Sequence, residues 1–326
     1  MKKVVITGAR GYIGRALANR LADDGWALRL VSRGAETPLL EHGRATDVEW
    51  VEADLRDPRA WSPLIADATA IVHLSSRTDL RAAEADLVGD EKINVDPVRA
   101  LVQASQSTGK RPAVVFASTV TIVGAHHRNP VDEKTPDRPC SVYDRHKLEC
   151  ESILRAATQR GVLQACSLRL PNVYGYGADS INANRGILNV MMRRALGGEA
   201  LTLFGDGSYV RDFTHINDVV DAFYRVVLNP SVCDGSHYVI ATGRGCTLAA
   251  AFRLIAEEMF ARTQRRIEIR HVPEPPGFHP IERRNFVGNP RLFSSLTGWH
   301  PRFDLQAGIQ DYFNHALSMQ AATAPR

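Results

Sequence analysis

Lysine is scarce in this chain: six of its 40 basic residues, the rest being arginine. The arginines are scattered and set against 36 acidic residues, so the net charge is only +4. No basic run of the kind that grips a phosphate backbone is present, and the reading expects no nucleic-acid partner. Cysteine is also sparse. Cys140, Cys150, Cys166, Cys233 and Cys246 are an odd number with no Cys-x-x-Cys pair. That excludes a disulfide framework and a thiolate zinc site, and it fits reduced thiols in a cytoplasmic protein with no metal. Long apolar runs are missing as well. Lys2-Lys3 leads into a short β-rich stretch, neither a signal peptide nor a membrane span. What remains is ordinary globular composition: 326 residues, 44% hydrophobic and 23% charged, enough for one large or two intimate domains.

The first half alternates short β-rich runs with helical patterns, which predicts a parallel sheet. Strands are expected at Lys3–Thr7, Ala27–Ser32, Val48–Glu52, Ala70–Leu74, Ala113–Ser118 and Leu163–Leu170. Helices are expected at Gly14–Asp24, Asn94–Thr108 and Tyr143–Arg160, each followed closely by a glycine. Beyond about residue 175 the pattern changes to helices joined by Gly- and Pro-rich connections, with a loop at Pro273–Pro280. The fold class is therefore α/β: a Rossmann-type doubly wound parallel sheet over 1–175 and a smaller C-terminal substrate-binding lobe over 176–326. Within that lobe, 216–245 is expected to return to the first sheet through His237–Thr242.

Val4-Val5-Ile6-Thr7-Gly8-Ala9-Arg10-Gly11-Tyr12-Ile13-Gly14 reads as a strand, a tight turn and a helix start. Gly8 permits the turn, Gly11 admits a pyrophosphate, and Gly14 allows close packing of the helix. The first helical N–H groups, from Tyr12 and Ile13, then face the phosphates of a dinucleotide. The spacing is GxxGxxG rather than GxGxxG, so its place directly after a β-branched strand carries much of the signal. Asp54 and Leu55 follow the third strand, where a carboxylate can accept from an adenine amino group. Leu74, Ser75 and Ser76 end the fourth strand at the carboxyl edge, where such sheets bind ligands. His73 just before them reads first as a satisfied strand-end histidine.

Tyr143 and Lys147 stand four apart, on one helix face. A phenol is a poor base near neutral pH. An adjacent ammonium, with a positive nicotinamide ring, would favour the phenolate and let Tyr143 exchange a proton with a sugar oxygen as hydride moves.

Taken together, Gly8/Gly11/Gly14, Asp54, Val72-His73-Leu74-Ser75-Ser76, Ser118-Thr119 and Tyr143/Lys147 resemble the extended short-chain dehydrogenase/reductase family. Arg169-Leu170-Pro171-Asn172-Val173-Tyr174-Gly175, the Phe204–Phe213 segment, Asn217-Asp218-Val219-Val220 and Leu296-Thr297-Gly298-Trp299 narrow the resemblance to its nucleotide-sugar branch of epimerases, dehydratases and ketoreductases. The resemblance spans residues 1–315 and implies an enzyme with Tyr143 as acid/base, Lys147 as its modulator and Thr119 as the hydroxyl on the reacting oxygen. Ser118 lies beside the cofactor, and Asn172 and Arg211 meet the diphosphate of a nucleotide-sugar substrate. A planar guanidinium suits that role on its own chemistry. A second phosphate-binding arginine is expected at Arg283 or Arg284, with Arg283 taken as the candidate. The resemblance also implies a homodimer paired through the helices at 94–108 and 143–160.

Two departures refine the expectation. The second strand ends Val31-Ser32-Arg33, where an NAD-preferring domain places a carboxylate for the ribose. Ser32, Arg33 and Arg10 instead suit a 2′-phosphate, so NADP is the expected cofactor with NAD as the alternative. Val120 and Thr121 stand where 4,6-dehydratases of the branch carry an Asp-Glu pair, so dehydration is not expected. The sequence reading is an NADPH-dependent 4-keto-sugar reductase, with a C4 epimerase as the nearest rival. A non-catalytic nucleotide-sensing protein and an enzyme acting on a non-nucleotide ketone stand further off.

Overall fold

The computed structural model describes residues 2–34, 47–125, 128–177 and 185–323. The chain forms strands β1 (Lys3–Thr7), β2 (Ala27–Ser32), β3 (Val48–Glu52), β4 (Ala70–His73), β5 (Ala113–Thr119), β6 (Gln164–Leu170), β7 (Asn172–Tyr174), β8 (Leu201–Phe204), β9 (Val210–His215), β10 (His237–Val239), β11 (Gly245–Thr247) and β12 (Ile269–Val272). Seven of them make one all-parallel sheet in the order β10-β6-β5-β4-β1-β2-β3. The order reverses at β1, which creates the crevice where doubly wound sheets hold ligands. The α/β Rossmann expectation is thus met.

The central strands are apolar on both faces because helices cover both. Val4 and Ile6 of β1 pack with Leu17 and Leu21 of the helix Tyr12–Asp23 and with Val219 and Phe223 of the helix Ile216–Leu228. Val5, Ile71 and Val114 face the other way, onto Trp61, Leu101 and Leu154 of the helices Pro58–Ile65, Asp96–Thr108 and Val142–Gln159. The stretch from Ile216 to Tyr238 packs on the first face, beside the helix Tyr12–Asp23, with β10 paired to β6.

The remaining chain builds a second core from the helices Ile187–Leu196, Leu248–Thr263 and Leu305–Thr323, around Met192, Phe252 and Phe313. A three-stranded sheet, β11-β9-β7, joins the two parts, because β7 follows β6 with only Pro171 between them. It carries Asn172 and Arg211 to the carboxyl edge of the large sheet. Among the described residues no helix is long and apolar enough to cross a membrane, and no cluster of His, Cys, Asp or Glu could hold a metal.

Candidate active site

A cavity of about 520 Å³ opens at the carboxyl ends of β1 to β4. Gly8, Arg10, Gly11, Ser32, Arg33, Asp54, Leu55, Leu74, Ser75 and Ser76 line it, as does Arg56. Gly8 has φ +66°, and a Cβ there would come within 2.9 Å of the Ser75 amide. A Cβ on Gly14 would lie 2.3 Å from the Gly8 carbonyl oxygen, so helix and turn meet only because both residues are glycine. The helix Tyr12–Asp23 starts at Gly11 with no side-chain cap on its first amides. Open N–H groups above a bare glycine turn fit a pyrophosphate, and the cavity's residue set fits a dinucleotide. Tyr12 is oriented differently from its neighbours: its hydroxyl donates to the Gly175 carbonyl at 2.7 Å and ties the glycine turn to the end of β7. Ile13 packs into the core beside the turn.

The floor of the cavity is organised by Thr7 and His73. The Thr7 oxygen accepts from the Leu74 and Ser75 amides at 3.1 and 3.2 Å. Its own proton therefore goes to His73 Nδ1, 2.9 Å away. His73 lies buried between Trp61 and Phe116, and burial holds its pKa down to about 3. It is a neutral structural residue that fixes the Leu74-Ser75-Ser76 turn.

At the outer rim the Ser32 hydroxyl donates to the Gly34 carbonyl at 2.9 Å. Arg10 and Arg33 converge on the same rim, with an Arg10 Nη atom 3.0 Å from where a Gly34 Cβ would sit. Asp54 is gripped by Arg56 through its side chain and amide, and this pairing pulls its carboxyl down to about 2. Arg56 went unnoticed in the sequence, although its place two residues after Asp54 is the available signal.

Thr119 ends β5, and Tyr143 and Lys147 lie on the first turns of the helix Val142–Gln159, which Ser141 caps. Lys147 Nζ donates to the Ala117 carbonyl at 2.8 Å and sits 5.7 Å from the Tyr143 ring centre. Burial lowers Lys147 to about 8. Burial, and then the nearby Asp144 and Asp90 carboxylates, push the Tyr143 phenol upward. The expected lowering by the ammonium is thus outweighed in the protein alone, and Tyr143 stands as a proton donor. Ser118 points to the other side of its strand, where its hydroxyl donates to Glu151 at 2.5 Å. Glu151 is in turn clamped by the buried Arg169.

On the substrate side, Arg211 and Arg284 are both buried, at 2% and 7% exposure. Arg211 donates only to the carbonyls of Val210, Arg284 and Glu282. Arg284 donates to the Ile281 carbonyl and, at 3.0 Å, to the Asn172 side-chain oxygen. Neither forms a salt bridge with a described carboxylate, and Arg284 Nε has no hydrogen-bond partner. Burial and the facing Arg284 charge lower Arg211 to about 9. Two desolvated cations with no direct salt bridge to a described carboxylate make a site for an anion. Arg283, the candidate taken from sequence, instead turns outward to Glu274 at 2.6 Å and lines a separate outer cavity. Adjacent residues at the end of a 3₁₀ turn face opposite ways, so only one of the pair reaches Asn172.

Comparison with known proteins bears on the family and the fold. The profile of the NAD dependent epimerase/dehydratase family matches residues 4–241. The UDP-glucose 4-epimerase of Mycolicibacterium smegmatis is 28% identical, over 94% of this chain and 96% of that one. The dTDP-L-rhamnose 4-epimerase of Burkholderia thailandensis is 27% identical, over 94% and 93%. The crystal structure of Thermus thermophilus UDP-glucose 4-epimerase in complex with NAD superimposes with a TM-score of 0.81 at 25% identity, covering 96% and 98%. On its sequence, its sheet and its site, the chain belongs to the NAD dependent epimerase/dehydratase family and is an enzyme of the extended short-chain dehydrogenase/reductase type.

Proposed function

We propose that this enzyme is a nucleoside-diphosphate-sugar 4-epimerase. The observation that carries the substrate class is the buried pair Arg211 and Arg284, neither in a salt bridge with a described carboxylate, with Asn172 between strand and turn. A diphosphate supplies the two negative charges that the pair lacks, and guanidinium groups meet phosphate bidentately. The reaction follows from what surrounds Thr119. Tyr143 exchanges the proton of the sugar oxygen, and a positive nicotinamide ring beside it would offset the burial that keeps the phenol protonated in the protein alone. Lys147, anchored on the Ala117 carbonyl, holds positive charge beneath it. Val120 and Thr121 offer no carboxylate for eliminating water. When bound, the dinucleotide supplies the hydride acceptor and donor. The known relatives named for activity on 4-hydroxyl groups favour epimerisation over the reductase expected from sequence.

The cofactor proposed is NADP(H), on the strength of Arg10, Arg33 and Arg56 around the cavity and the lack of a carboxylate at the end of β2. That same observation supports the second reading, a 4-keto-sugar reductase drawing on NADPH. We further propose a cytoplasmic homodimer paired through the neighbouring helices Asp96–Thr108 and Val142–Gln159, a location in keeping with five free cysteines.

The purified enzyme is incubated with UDP-glucose and with dTDP-6-deoxy-4-keto sugars, with and without NADPH. Formation of a C4 epimer with no net cofactor consumption is the expected result. Stoichiometric NADPH oxidation by the keto sugar, with no epimer from any hexose nucleotide, would replace the epimerase with the reductase.

A further inference from the structure

Three side chains form a chain that leads away from the reacting oxygen. Thr119 Oγ1 lies 2.8 Å from Thr121 Oγ1, and Thr121 Oγ1 donates to Asp144 Oδ1. The Thr121 amide also donates to Thr119 Oγ1 at 3.2 Å. Asp144 is fully buried, on the helix that carries Tyr143, and its second oxygen, Oδ2, has no hydrogen-bond partner. A buried carboxyl with half its capacity unused is costly to keep and calls for a reason.

Hydrogen-bond valence supplies one. Each threonine has a single proton. An ionised Asp144 only accepts, so Thr121 must give it its proton. Thr121 can then only accept from Thr119, and Thr119 presents a lone pair to the sugar. A proton on Asp144 Oδ1 reverses every link: Asp144 donates to Thr121, Thr121 donates to Thr119, and Thr119 donates to the sugar oxygen, whereas a proton on Oδ2 leaves the first polarity in place. Only the second polarity lets Thr119 donate to the oxygen as it becomes a carbonyl, the moment at which a donor stabilises it.

We propose that Asp144, acting through Thr121, is the positioning residue that decides whether Thr119 donates to or accepts from the reacting sugar oxygen. The inference rests on the reading of Thr119, Tyr143 and Lys147 as the hydride-transfer site. The chain itself transfers no proton to the products. The alcohol proton goes to Tyr143, and Thr119 only orients and polarises. The ionisable groups that interact with Asp144 include Tyr143 on its own helix and Cys140 on the preceding loop, both held neutral, and the Arg284 cation on the phosphate side.

Two measurements on the full chain test this. In threonine-labelled protein without substrate, the Thr119 and Thr121 hydroxyl protons are expected as slowly exchanging resonances. Thr121→Val and Asp144→Ala should each remove the Thr119 signal. Fast exchange in the wild type, or a signal unmoved by both variants, overturns the chain whatever the enzyme does. With UDP-glucose and UDP-galactose as probes, Thr121→Val should lower kcat about 10-fold with KM and cofactor affinity nearly unchanged. Thr121→Ser should restore kcat. Asp144→Asn, which has no carboxyl proton to give or lose, should lower kcat with KM nearly unchanged. Wild-type turnover in Thr121→Val refutes the proposal. Protected hydroxyls in a protein that turns over neither probe leave the chain standing and remove the proposed reaction instead.

Discussion

Replacing Arg33 with alanine should lower affinity for NADPH and leave affinity for NADH nearly unchanged. Three guanidinium groups line the rim of the dinucleotide cavity, but they are not equivalent. Arg56 is held by Asp54 through two side-chain nitrogens. Arg33 directly follows Ser32 at the end of β2, where a side chain meets the ribose in such folds. A charge-assisted hydrogen bond contributes about 1.5–3 kcal/mol, and solvent screening at this exposed rim argues for the low end. The expected loss for NADPH is therefore about 10-fold, since each ~1.4 kcal/mol is a factor of ten. Ser32→Asp should go further. Its carboxylate would repel a 2′-phosphate and pair with Arg33, so the preference should reverse to NADH. Titration of reduced-nicotinamide fluorescence in low salt measures both cofactor affinities for the wild type and each variant. Wild-type protein that favours NADH, or an Arg33→Ala variant with an unchanged NADPH-to-NADH ratio, would refute the reasoning.

Tyr143→Phe should cut turnover at least ~100-fold while cofactor affinity stays within about twofold, as steady-state rates and fluorescence titration would report. Arg284→Ala should weaken UDP binding about 10-fold or more by calorimetry, and Arg283→Ala should leave it close to wild type, because only Arg284 reaches Asn172. The His73 prediction concerns stability. Its folded pKa of about 3 lies below the unfolded value of ~6.5, so the unfolded chain binds the extra proton in between. That contribution is complete above pH ~6.5 and is lost by about 1.4 kcal/mol per pH unit as pH falls toward 3. Urea unfolding at pH 7, 6 and 5 should show this slope in the wild type and a shallower one in His73→Gln.

The large sheet was legible because each of its strands is a short apolar run bounded by glycine or a polar turn. β1, β2 and β3 begin and end where the sequence pattern places them. The helix expected from Asn94 instead starts at Asp96, after a separate helix Leu87–Asn94, since Asp86 caps the first and Pro97 opens the second. The small sheet β11-β9-β7 left no such trace. Two of its strands have three residues, too few to show a period, and their pairing is decided by partners tens of residues away.

The same division runs through the site. The glycine turn, Thr119, Tyr143 and Lys147 are local patterns on single elements, so spacing exposes them. Arg284 and the Thr119–Thr121–Asp144 chain exist only between elements. Arg283 and Arg284 are indistinguishable in sequence, and the choice is made by Asn172, 112 positions away. Thr121 reads as a missing carboxylate when taken alone. Asp144, 23 positions on, brings a carboxyl back to that spot from the neighbouring helix. The substitution that argues against dehydration in the sequence is therefore also the one that admits a hydroxyl link between Asp144 and Thr119. A valine at 121 would leave the buried Asp144 side chain without a hydrogen-bond partner among the described residues, and that pairing requirement ties the identity of residue 121 to that of residue 144.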